Sequence, residues 1–589
     1  MGRSYIVVGG GLAGLMAAIK LAEAGQRVRL FSLVPVRRSH SVCAQGGING
    51  AVNTKGEGDS AWEHFDDTIY GGDFLANQTP VKAMCEAAPD IIYMLARMGV
   101  PFNRTPEGNI DFRRLGGASY SRTAFAGSTT GQQILYALDE QVRRFEAEGR
   151  IEKLEHWEML SIVRDGEGRC AGIVAQHLKS MRIGDFRADA VIMATGGIGY
   201  IYRRSTNSVI NTGSAHAAVY RQGASYANAE FIQIHPTAIP GDDKLRLMSE
   251  SARGEGGRIW VYRDGKPWYF LEDKYPAYGN LVPRDIATRE IFHICYDLKL
   301  GIGGENMVYL DLSHLSAERL RERLGGIVGM YEKFVGDDPR KVPMKIFPAM
   351  HYSMGGLWVD FDQMTNIPGL FACGECDYQY HGANRLGANS LLSAIYGGMV
   401  AGPKAMAYAE AQRTPAGELA ESWFAAERGR QEAEQRQLYA MDGPENAYRL
   451  HVEMSDRMVE HVTVVRTNAG LRQTDDFLQE LQERWRRIGI DDRSAEHNRT
   501  VPFVRQLRNM IELARVITLS ALNRNESRGA HYKPEFPERD DANWLKTTIA
   551  THTPDGPALR YEDVDLQFIA PRQRRYDVSK AKGAVASGS

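Results

Sequence analysis

Residues 5–31 read YIVVGGGLAGLMAAIKLAEAGQRVRLF, and this stretch decides the fold. The β-branched run at 5–8 predicts a buried strand, and apolar residues at helical spacing predict a helix over 12–24. Gly25 ends that helix, and residues 27–31 predict a second strand. Strand, helix and strand in this order predict an α/β, Rossmann-like fold around a parallel sheet.

Three glycines of a G-x-G-x-x-G motif form the turn between the first strand and the helix. Gly9 allows the tight turn, Gly11 lets backbone approach a pyrophosphate, and Gly14 lets helix and strand pack closely. The helix N-terminus at Leu12 and Ala13 offers free N–H groups and positive potential to phosphates. The context predicts a dinucleotide site, and the alternative is a purely structural glycine loop.

Two further features of the sequence bear on which dinucleotide would bind. The acid that often binds a ribose at the end of the second strand is absent, and Ser32 stands there instead. The sequence contains no second G-x-G-x-x-G, which argues against a separate domain for NAD(P)H.

The length, net charge and apolar stretches of the chain limit the class of protein to which it can belong. A chain of 589 residues predicts two to four domains, and a net charge of −2 argues against nucleic-acid binding. The longest apolar stretch, residues 5–19, is shorter than the roughly 20 residues a membrane span needs. We therefore expect a soluble, cytoplasmic chain without a membrane span of its own.

The six cysteines are scattered, as expected for reduced thiols. Cys373 and Cys376 form a C-x-x-C, but no second such pair completes a zinc site, and the spacing matches no ferredoxin. We interpret the pair as coincidental and predict no metal site.

Hydrophobic periodicity predicts further elements. They are helices over 80–98 and 131–148, a hairpin of strands over 153–163 and 170–177, a buried strand over 190–194, and a mainly helical region over 418–522. In that region Thr474 is expected to cap a helix. Residues 53–72 are polar and are expected to form a loop.

The string R-S-H-S-V-C-A-Q-G-G at residues 38–47 resembles the flavin-attachment segment of succinate dehydrogenase and fumarate reductase flavoprotein subunits. The resemblance implies that the dinucleotide is FAD, bound covalently through His40. Further FAD-contacting residues implied by the family motifs are Ser32, Ser39, Ala44, Gly46, Gly47, Thr195, Gly196, Ser214, Glu375, Ser390 and Leu391. Glu375 would bind the ribose hydroxyls, whereas Ser214 stands where many relatives carry an FAD-binding aspartate.

Four further motifs of that family follow in order. They are Q-I-H-P-T at 233–237, S-E-S-A-R-G-E-G-G at 249–257, V-P-R-D at 282–285, and the pair H-Y-S-M-G-G at 351–356 and H-G-A-N-R-L-G-A-N-S-L at 381–391. The resemblance implies four substrate-binding residues, namely His235, Ser249, His351 and Arg385.

The same motifs imply a proton-transfer group. Arg284 would move the proton, and Glu250 and Arg253 would relay it to solvent. Two plainer interpretations stay open. Glu250 and Arg253 could form a surface ion pair, and Arg284 could pair structurally with Asp285.

Changes in the sequence pattern along the chain predict a domain order. We expect an FAD-binding domain at 1–236 and 347–417, an inserted capping domain at 237–346, a helical domain at 418–540, and a small C-terminal α+β region at 541–589 that ends in a flexible tail.

The expected activity is the interconversion of succinate and fumarate by hydride transfer to FAD. Electrons would pass to an iron–sulfur subunit and then, through a cytochrome b-type membrane anchor, to quinone. That assembly, respiratory complex II, would hold the chain peripherally on the cytoplasmic side of the cell membrane. The sequence of residues 33–38 most resembles the menaquinone-linked branch of the family.

Two other functions stay open. A soluble L-aspartate oxidase has a similar site but lacks the flavin-bonding histidine found here at His40. A non-catalytic flavin-binding or RNA-associated module is disfavoured by the near-neutral charge. The motif from Arg524 to His531 is expected to serve domain packing or subunit contact.

Overall fold

The computed structural model describes residues 3–242 and 244–578. Within these ranges the strands are β1 Ser4–Val8, β2 Arg27–Ser32, β3 Ile48–Asn49, β4 Phe112–Arg113, β5 Thr123–Ala124, β6 Ile151–Glu155, β7 Trp157–Arg164, β8 Cys170–His177, β9 Ile183–Arg187, β10 Ala190–Met193, β11 Tyr226–Ala227, β12 Ile232–Ile239, β13 Arg246–Leu247, β14 Arg258–Arg263, β15 Lys266–Trp268, β16 Val308–Asp311, β17 Met344–Ser353, β18 Gly356–Leu357, β19 Leu370–Ala372, β20 Lys546–Thr553 and β21 Gly556–Asp563.

The α-helices of the same ranges are α1 Leu12–Glu23, α2 Ala61–Gly71, α3 Gln78–Arg97, α4 Thr130–Ala147, α5 Ser214–Arg221, α6 Ser251–Gly254, α7 Phe270–Lys274, α8 Arg284–Phe292, α9 Ala317–Val335, α10 Asn389–Ala411, α11 Glu421–Tyr439, α12 Ala447–His461, α13 Asn468–Trp485, α14 Thr500–Asn523 and α15 Asp541–Trp544. No helix in the described ranges is both long and apolar enough to cross a membrane.

A five-stranded parallel sheet in the order β19-β10-β1-β2-β6 confirms the predicted Rossmann-like fold. Successive residues of β1 point to opposite faces. Tyr5 and Val7 therefore join one hydrophobic core with α1, and Ile6 and Val8 join a second core on the other face. Because the strand order reverses around β1, a crevice opens at its carboxyl end.

The glycine turn after β1 leaves no room for side chains. Gly9 has a φ of +120°, and a Cβ there would lie 2.0 Å from the Ala194 carbonyl oxygen. A Cβ on Gly14 would lie 1.9 Å from the carbonyl oxygen of Gly9. Close packing of strand, turn and helix therefore requires glycine at both positions.

Residues 240–343, here called the inserted region, lie between the antiparallel pair β12 and β17. These strands belong to a six-stranded sheet in the order β13-β12-β17-β16-β14-β15. Helix α8 packs against β12. The arrangement brings His235 on β12, His351 on β17 and Arg284 at the start of α8 to one place.

The helices α11 to α14 form the next region, with Leu471, Leu478 and Leu481 of α13 buried in the core. Thr467 caps α13 by accepting a hydrogen bond from the Gly470 N–H. The prediction that Thr474 is the cap was wrong, because α13 begins about two turns earlier than the apolar stripe suggested.

Strand β20 of the C-terminal hairpin β20–β21 pairs with β11, and β11 pairs with β18, in a four-stranded sheet. Residues 564–578, here called the strap, then return to α2 and α3. Most of the tail predicted to be flexible, residues 579–589, lies outside the described residues.

Two local predictions were wrong. The expected loop at 53–72 contains α2. The hydrophobic periodicity did not indicate this helix because polar residues such as His64 and Asp67 are buried in it. The expected strand over 153–163 is two strands that break at His156, where φ is +66°. Its first half, β6, pairs with β2, and its second half, β7, pairs with β8 in the predicted hairpin.

Candidate active site

A cavity of about 490 Å³ opens at the carboxyl ends of the parallel strands. Its walls come from the parallel-sheet region, the inserted region and the start of α10. The predicted cofactor residues that line it are Gly9, Gly11, Leu12, Ala13, Ser32, Ser39, His40, Ala44, Gly46, Gly47, Thr195, Gly196, Ser214, Glu375, Ser390 and Leu391. Gly14 lies behind this lining, against the carbonyl oxygen of Gly9.

Several buried polar atoms of the lining have no hydrogen-bond partner within residues 3–242 and 244–578. They are Ser39 Oγ, Gln45 Oε1, Thr195 Oγ1, His216 Nδ1, His235 Nε2 and Arg385 Nε. A polar atom left buried and unpaired costs about 1–3 kcal/mol. A long polar ligand in the cavity would pair such atoms, so the lining fits a dinucleotide.

The N-terminus of α1 faces the cavity through Gly11 and Leu12. The first turn of α1 carries no acidic residue, and the Leu12 N–H donates only a long hydrogen bond, 3.4 Å, to Ser41 Oγ. The remaining N–H groups and the helix dipole make this end attractive to phosphate.

Ser32 and Glu375, the two residues expected near the ribose, both line the cavity. Ser32 donates its hydroxyl hydrogen to the Val34 carbonyl at 2.6 Å. Glu375 accepts a hydrogen bond from the Ser353 N–H at 3.1 Å, and burial raises the pKa of Glu375 to about 7. A Cβ on Gly197 would lie 2.3 Å from Glu375 Oε1, so glycine there makes space for this carboxyl group.

His40 lies in a short 3₁₀ helix, His40–Cys43, on the cavity wall. Its Nδ1 accepts a hydrogen bond from the Ser208 N–H at 3.2 Å. Burial, with the nearby Lys244 ammonium, lowers the pKa of His40 to about 4. The ring is therefore neutral at pH 7, and because Nδ1 accepts a hydrogen bond, the ring hydrogen lies on Nε2.

Two histidines from neighbouring strands meet at the other end of the cavity. The rings of His235 and His351 lie edge to face, 4.8 Å apart between centroids. Burial and the Arg284 guanidinium hold the pKa of both rings well below the usual value. The Thr237 N–H donates to His235 Nδ1 at 3.2 Å, which leaves the hydrogen of the neutral ring on the unpartnered Nε2.

Arg284, Glu250 and Arg253 form a buried chain beside these histidines. Arg284 Nη2 donates to Glu250 Oε2 at 2.6 Å, and Arg253 Nη2 donates to Glu250 Oε1 at 2.9 Å. Burial alone would raise the pKa of Glu250, but the guanidiniums of Arg284 and Arg253 outweigh it and hold that pKa below its usual value. Arg253 stands behind Glu250 and is the one predicted catalytic residue outside the cavity lining.

Both plainer interpretations of these residues are wrong. Glu250 and Arg253 are 2% and 1% exposed, so they are not a surface pair. Arg284 pairs with Glu250, whereas Asp285 pairs with Arg574 at 3.0 Å.

Arg385 completes the cluster. It is 2% exposed, its guanidinium lies 4.3 Å from the centre of the Tyr352 ring, and within the described ranges it pairs with no carboxylate. Burial and the neighbouring Arg284 charge lower the pKa of Arg385 to about 9, so it remains a cation. A buried cation without a counter-ion, in a cavity with Ser249 and both histidines, fits an anionic ligand.

Comparisons with known proteins decide the family. The "FAD binding domain" profile matches residues 4–391, and "Fumarate reductase flavoprotein C-term" matches residues 451–576. The succinate dehydrogenase flavoprotein subunit of Bacillus subtilis is 68% identical over 579 residues, which is 98% of this chain and 99% of that protein. This chain belongs to the succinate dehydrogenase and fumarate reductase flavoprotein family.

Solved members of the family have the same fold. A quinol fumarate reductase chain of E. coli is 35% identical, with a TM-score of 0.92 over 98% of this chain and 100% of that one. A quinol–fumarate reductase solved with menaquinol gives a TM-score of 0.90 at 35% identity, over 97% and 100% of the two chains. The predicted family, the fold and an FAD-binding domain are thereby confirmed.

Sequence reasoning missed several residues of this flavoprotein site. Lys244 lines the cavity and donates to the Thr206 and Asn207 carbonyls at 3.2 and 2.9 Å. Asn509 on α14 donates to Ser214 Oγ at 2.6 Å. A single lysine in a loop and an asparagine 295 residues from its partner carry no local signal, so only the fold reveals them.

Proposed function

We propose that this flavoprotein interconverts succinate and fumarate at the substrate end of the cavity. The observation that carries the proposal is the buried group of Arg385, Arg284, His235 and His351 around one space that continues to the glycine turn. The unpaired charge of Arg385, the polar donors around it and the small space suit a small anionic diacid.

The two carboxylates of the diacid need donors at both ends. Arg385 can grip one carboxylate with two parallel hydrogen bonds, which a lysine could not copy. Ser249 and the neutral histidines His235 and His351 supply further donors to the lining. Binding both carboxylates fixes the positions of the two central carbons, and these carbons are thereby oriented for the reaction.

Arg284 is proposed to move the proton, with Glu250 and Arg253 as its relay. Its guanidinium pairs with the Glu250 carboxylate and lies close enough to Arg385 to lower the pKa of that residue, and its Nη1 donates to Gln233 Oε1 at 2.8 Å. From Arg253 the chain continues to the Asn280 carbonyl at 2.8 Å. Arg284 is an otherwise strongly basic side chain. In this geometry it would face the substrate on one side and the Glu250–Arg253 relay on the other side of the proton transfer.

FAD, held by the glycine turn and Glu375, would supply the hydride acceptor. We propose that it is bonded to His40. A carbon on Nε2 leaves a neutral ring whose Nδ1 lone pair accepts a hydrogen bond, and the Ser208 N–H already donates to that atom. Withdrawal of electron density by this bond should raise the flavin potential, which suits a poor reductant such as succinate.

Electrons then leave singly, so we propose an iron–sulfur partner subunit and a cytochrome b-type anchor that reaches quinone. The relatives named as quinol fumarate reductases support this, and the one solved with menaquinol supports the menaquinone branch. The chain would then be peripheral on the cytoplasmic side of the membrane. Its proposed domains are an FAD-binding domain at 1–236 and 347–417, a capping domain at 237–346, a helical domain at 418–540 and a C-terminal domain at 541–589.

Dye reduction by the purified, FAD-loaded chain tests the proposal. We expect reduction with succinate and none with L-aspartate. The His40 peptide should carry the added mass of flavin, and acid precipitation should give a yellow pellet. Activity with L-aspartate and a colourless pellet would favour the L-aspartate oxidase alternative.

A further inference from the structure

The strap is anchored to helices α2 and α3. Gln78 Oε1 accepts a hydrogen bond from the Ile569 N–H at 2.8 Å. Arg572 Nη2 donates to both carboxylate oxygens of Asp66 at 2.7 Å, and its guanidinium lies over the Tyr70 ring. These contacts bring the end of the strap to the boundary with the inserted region.

Arg574 crosses that boundary. Its two terminal nitrogens donate to the two oxygens of Asp285, at 3.0 and 3.1 Å, and Nη1 also donates to Asp73 at 3.2 Å. Asp73 follows α2, whereas Asp285 belongs to the inserted region. Tyr576 adds an edge-to-face contact with Tyr278 of the inserted region, at 5.1 Å between ring centroids.

Asp285 is well placed to transmit this contact. It follows Arg284 directly in the first turn of α8, and its side chain is 1% exposed. A forked arginine–carboxylate pair fixes direction as well as distance. Arg574 therefore holds the turn from which the Arg284 guanidinium reaches Glu250.

Little of the substrate end of the cavity is open to solvent. Arg284 is 6% exposed, Arg385 is 2% exposed and His235 is 0% exposed. The inserted region continues from the rest of the chain only through β12 and β17. A movement of this region about these strands would separate Asp285 from Arg574 and Asp73.

We propose that Arg574 is a positioning residue that latches the inserted region in its closed position over the substrate end of the cavity. The inference rests on the proposed function, because the diacid and the role of Arg284 are assigned there. A protein whose binding-competent state is partly depopulated binds its ligand more weakly by that fraction, while saturating ligand restores the state. Loss of the latch should therefore raise KM and leave kcat nearly unchanged.

Succinate kinetics of the FAD-loaded protein test the latch. Arg574→Gln should raise KM, and the Kd for the unreactive diacid malonate, about 10-fold, with kcat within about threefold of wild type. Asp285→Asn removes the other half of the pair and should act alike, and the double variant should add little. Arg574→Lys should recover part of the affinity. Arg575→Gln is the matched control, because Arg575 pairs with Asp577 at the surface.

A purely structural role predicts a different split. Destabilisation lowers the fraction of active molecules, hence apparent kcat, and leaves KM unchanged; that result would overturn the latch. Hydrogen exchange of residues 279–292 is a readout independent of turnover. It should be faster in Arg574→Gln than in wild type and unchanged in Arg575→Gln. Equal exchange in all three also overturns the latch, whereas faster exchange without any succinate turnover would sink only the proposed function.

Discussion

The two ends of the cavity are built in opposite ways. At the dinucleotide end, six consecutive residues, 9–14, form the turn, and backbone shape does the binding. At the end proposed to hold substrate, side chains arrive from β12, α8, β17 and the segment before α10, and charge would do the binding. A backbone turn that binds a ligand is thus set by a short stretch of sequence, whereas a cluster of buried charged side chains depends on the whole fold.

The largest effect should come from the substrate end. Arg284→Lys keeps a positive charge but cannot reach Glu250 and Gln233 with separate nitrogens, as Arg284 does. We expect succinate-dependent turnover to fall by about 10³-fold or more, with the FAD content measured by absorbance unchanged. Arg258→Lys, in the same inserted region but outside the cavity lining, should stay within about twofold. Equal turnover in both variants would remove Arg284 from the mechanism.

At the dinucleotide end we expect a substitution to abolish FAD binding. Gly9→Ala places a Cβ 2.0 Å from the Ala194 carbonyl oxygen, so strand, turn and helix must separate. Purified protein should contain almost no FAD. Gly25→Ala is the control, since Gly25 also has positive φ but its Cβ would meet nothing within 4 Å. That change should cost about 1 kcal/mol of stability and leave FAD content intact. Normal FAD content in Gly9→Ala would break the comparison.

An intermediate effect separates binding from chemistry. Arg385→Gln removes a cation that pairs with no carboxylate in the described chain, so no partner is stranded inside the protein. We expect KM for succinate to rise about 100-fold, as for the loss of a forked charged contact. Stopped-flow titration with malonate should show the same factor. An unchanged malonate affinity would mean that the diacid binds elsewhere.

The smallest effect is a pH dependence of stability. Burial lowers the pKa of His216 to about 4, against 6.5 when the residue is exposed in the unfolded chain. Below pH 6.5 the unfolded state binds the extra proton, so stability falls as pH falls from 6.5 towards 4. His216→Gln should reduce the stability difference between pH 7 and pH 5 by about 2 kcal/mol in urea unfolding. An identical difference in wild type and variant would contradict the assignment.

The same contrast explains what could be predicted from the sequence. The glycine turn, α1 and β2 follow from local periodicity, so residues alone predicted them. Gathering His235, Arg284, His351 and Arg385 into one site depended on family motifs, since each residue alone has a plainer interpretation. Helix α2 was missed because it buries charge, and Arg574 was missed because its two aspartates are separated by over 200 residues in sequence.

A crystal structure of the FAD-loaded protein with fumarate bound would show what each end of the cavity holds. We expect one carboxylate on Arg385, the other near His235 and His351, the central carbons beside Arg284, and continuous density from His40 to the flavin. Fumarate bound away from Arg385 and Arg284, or a flavin that lies elsewhere than at the glycine turn, would contradict this expectation.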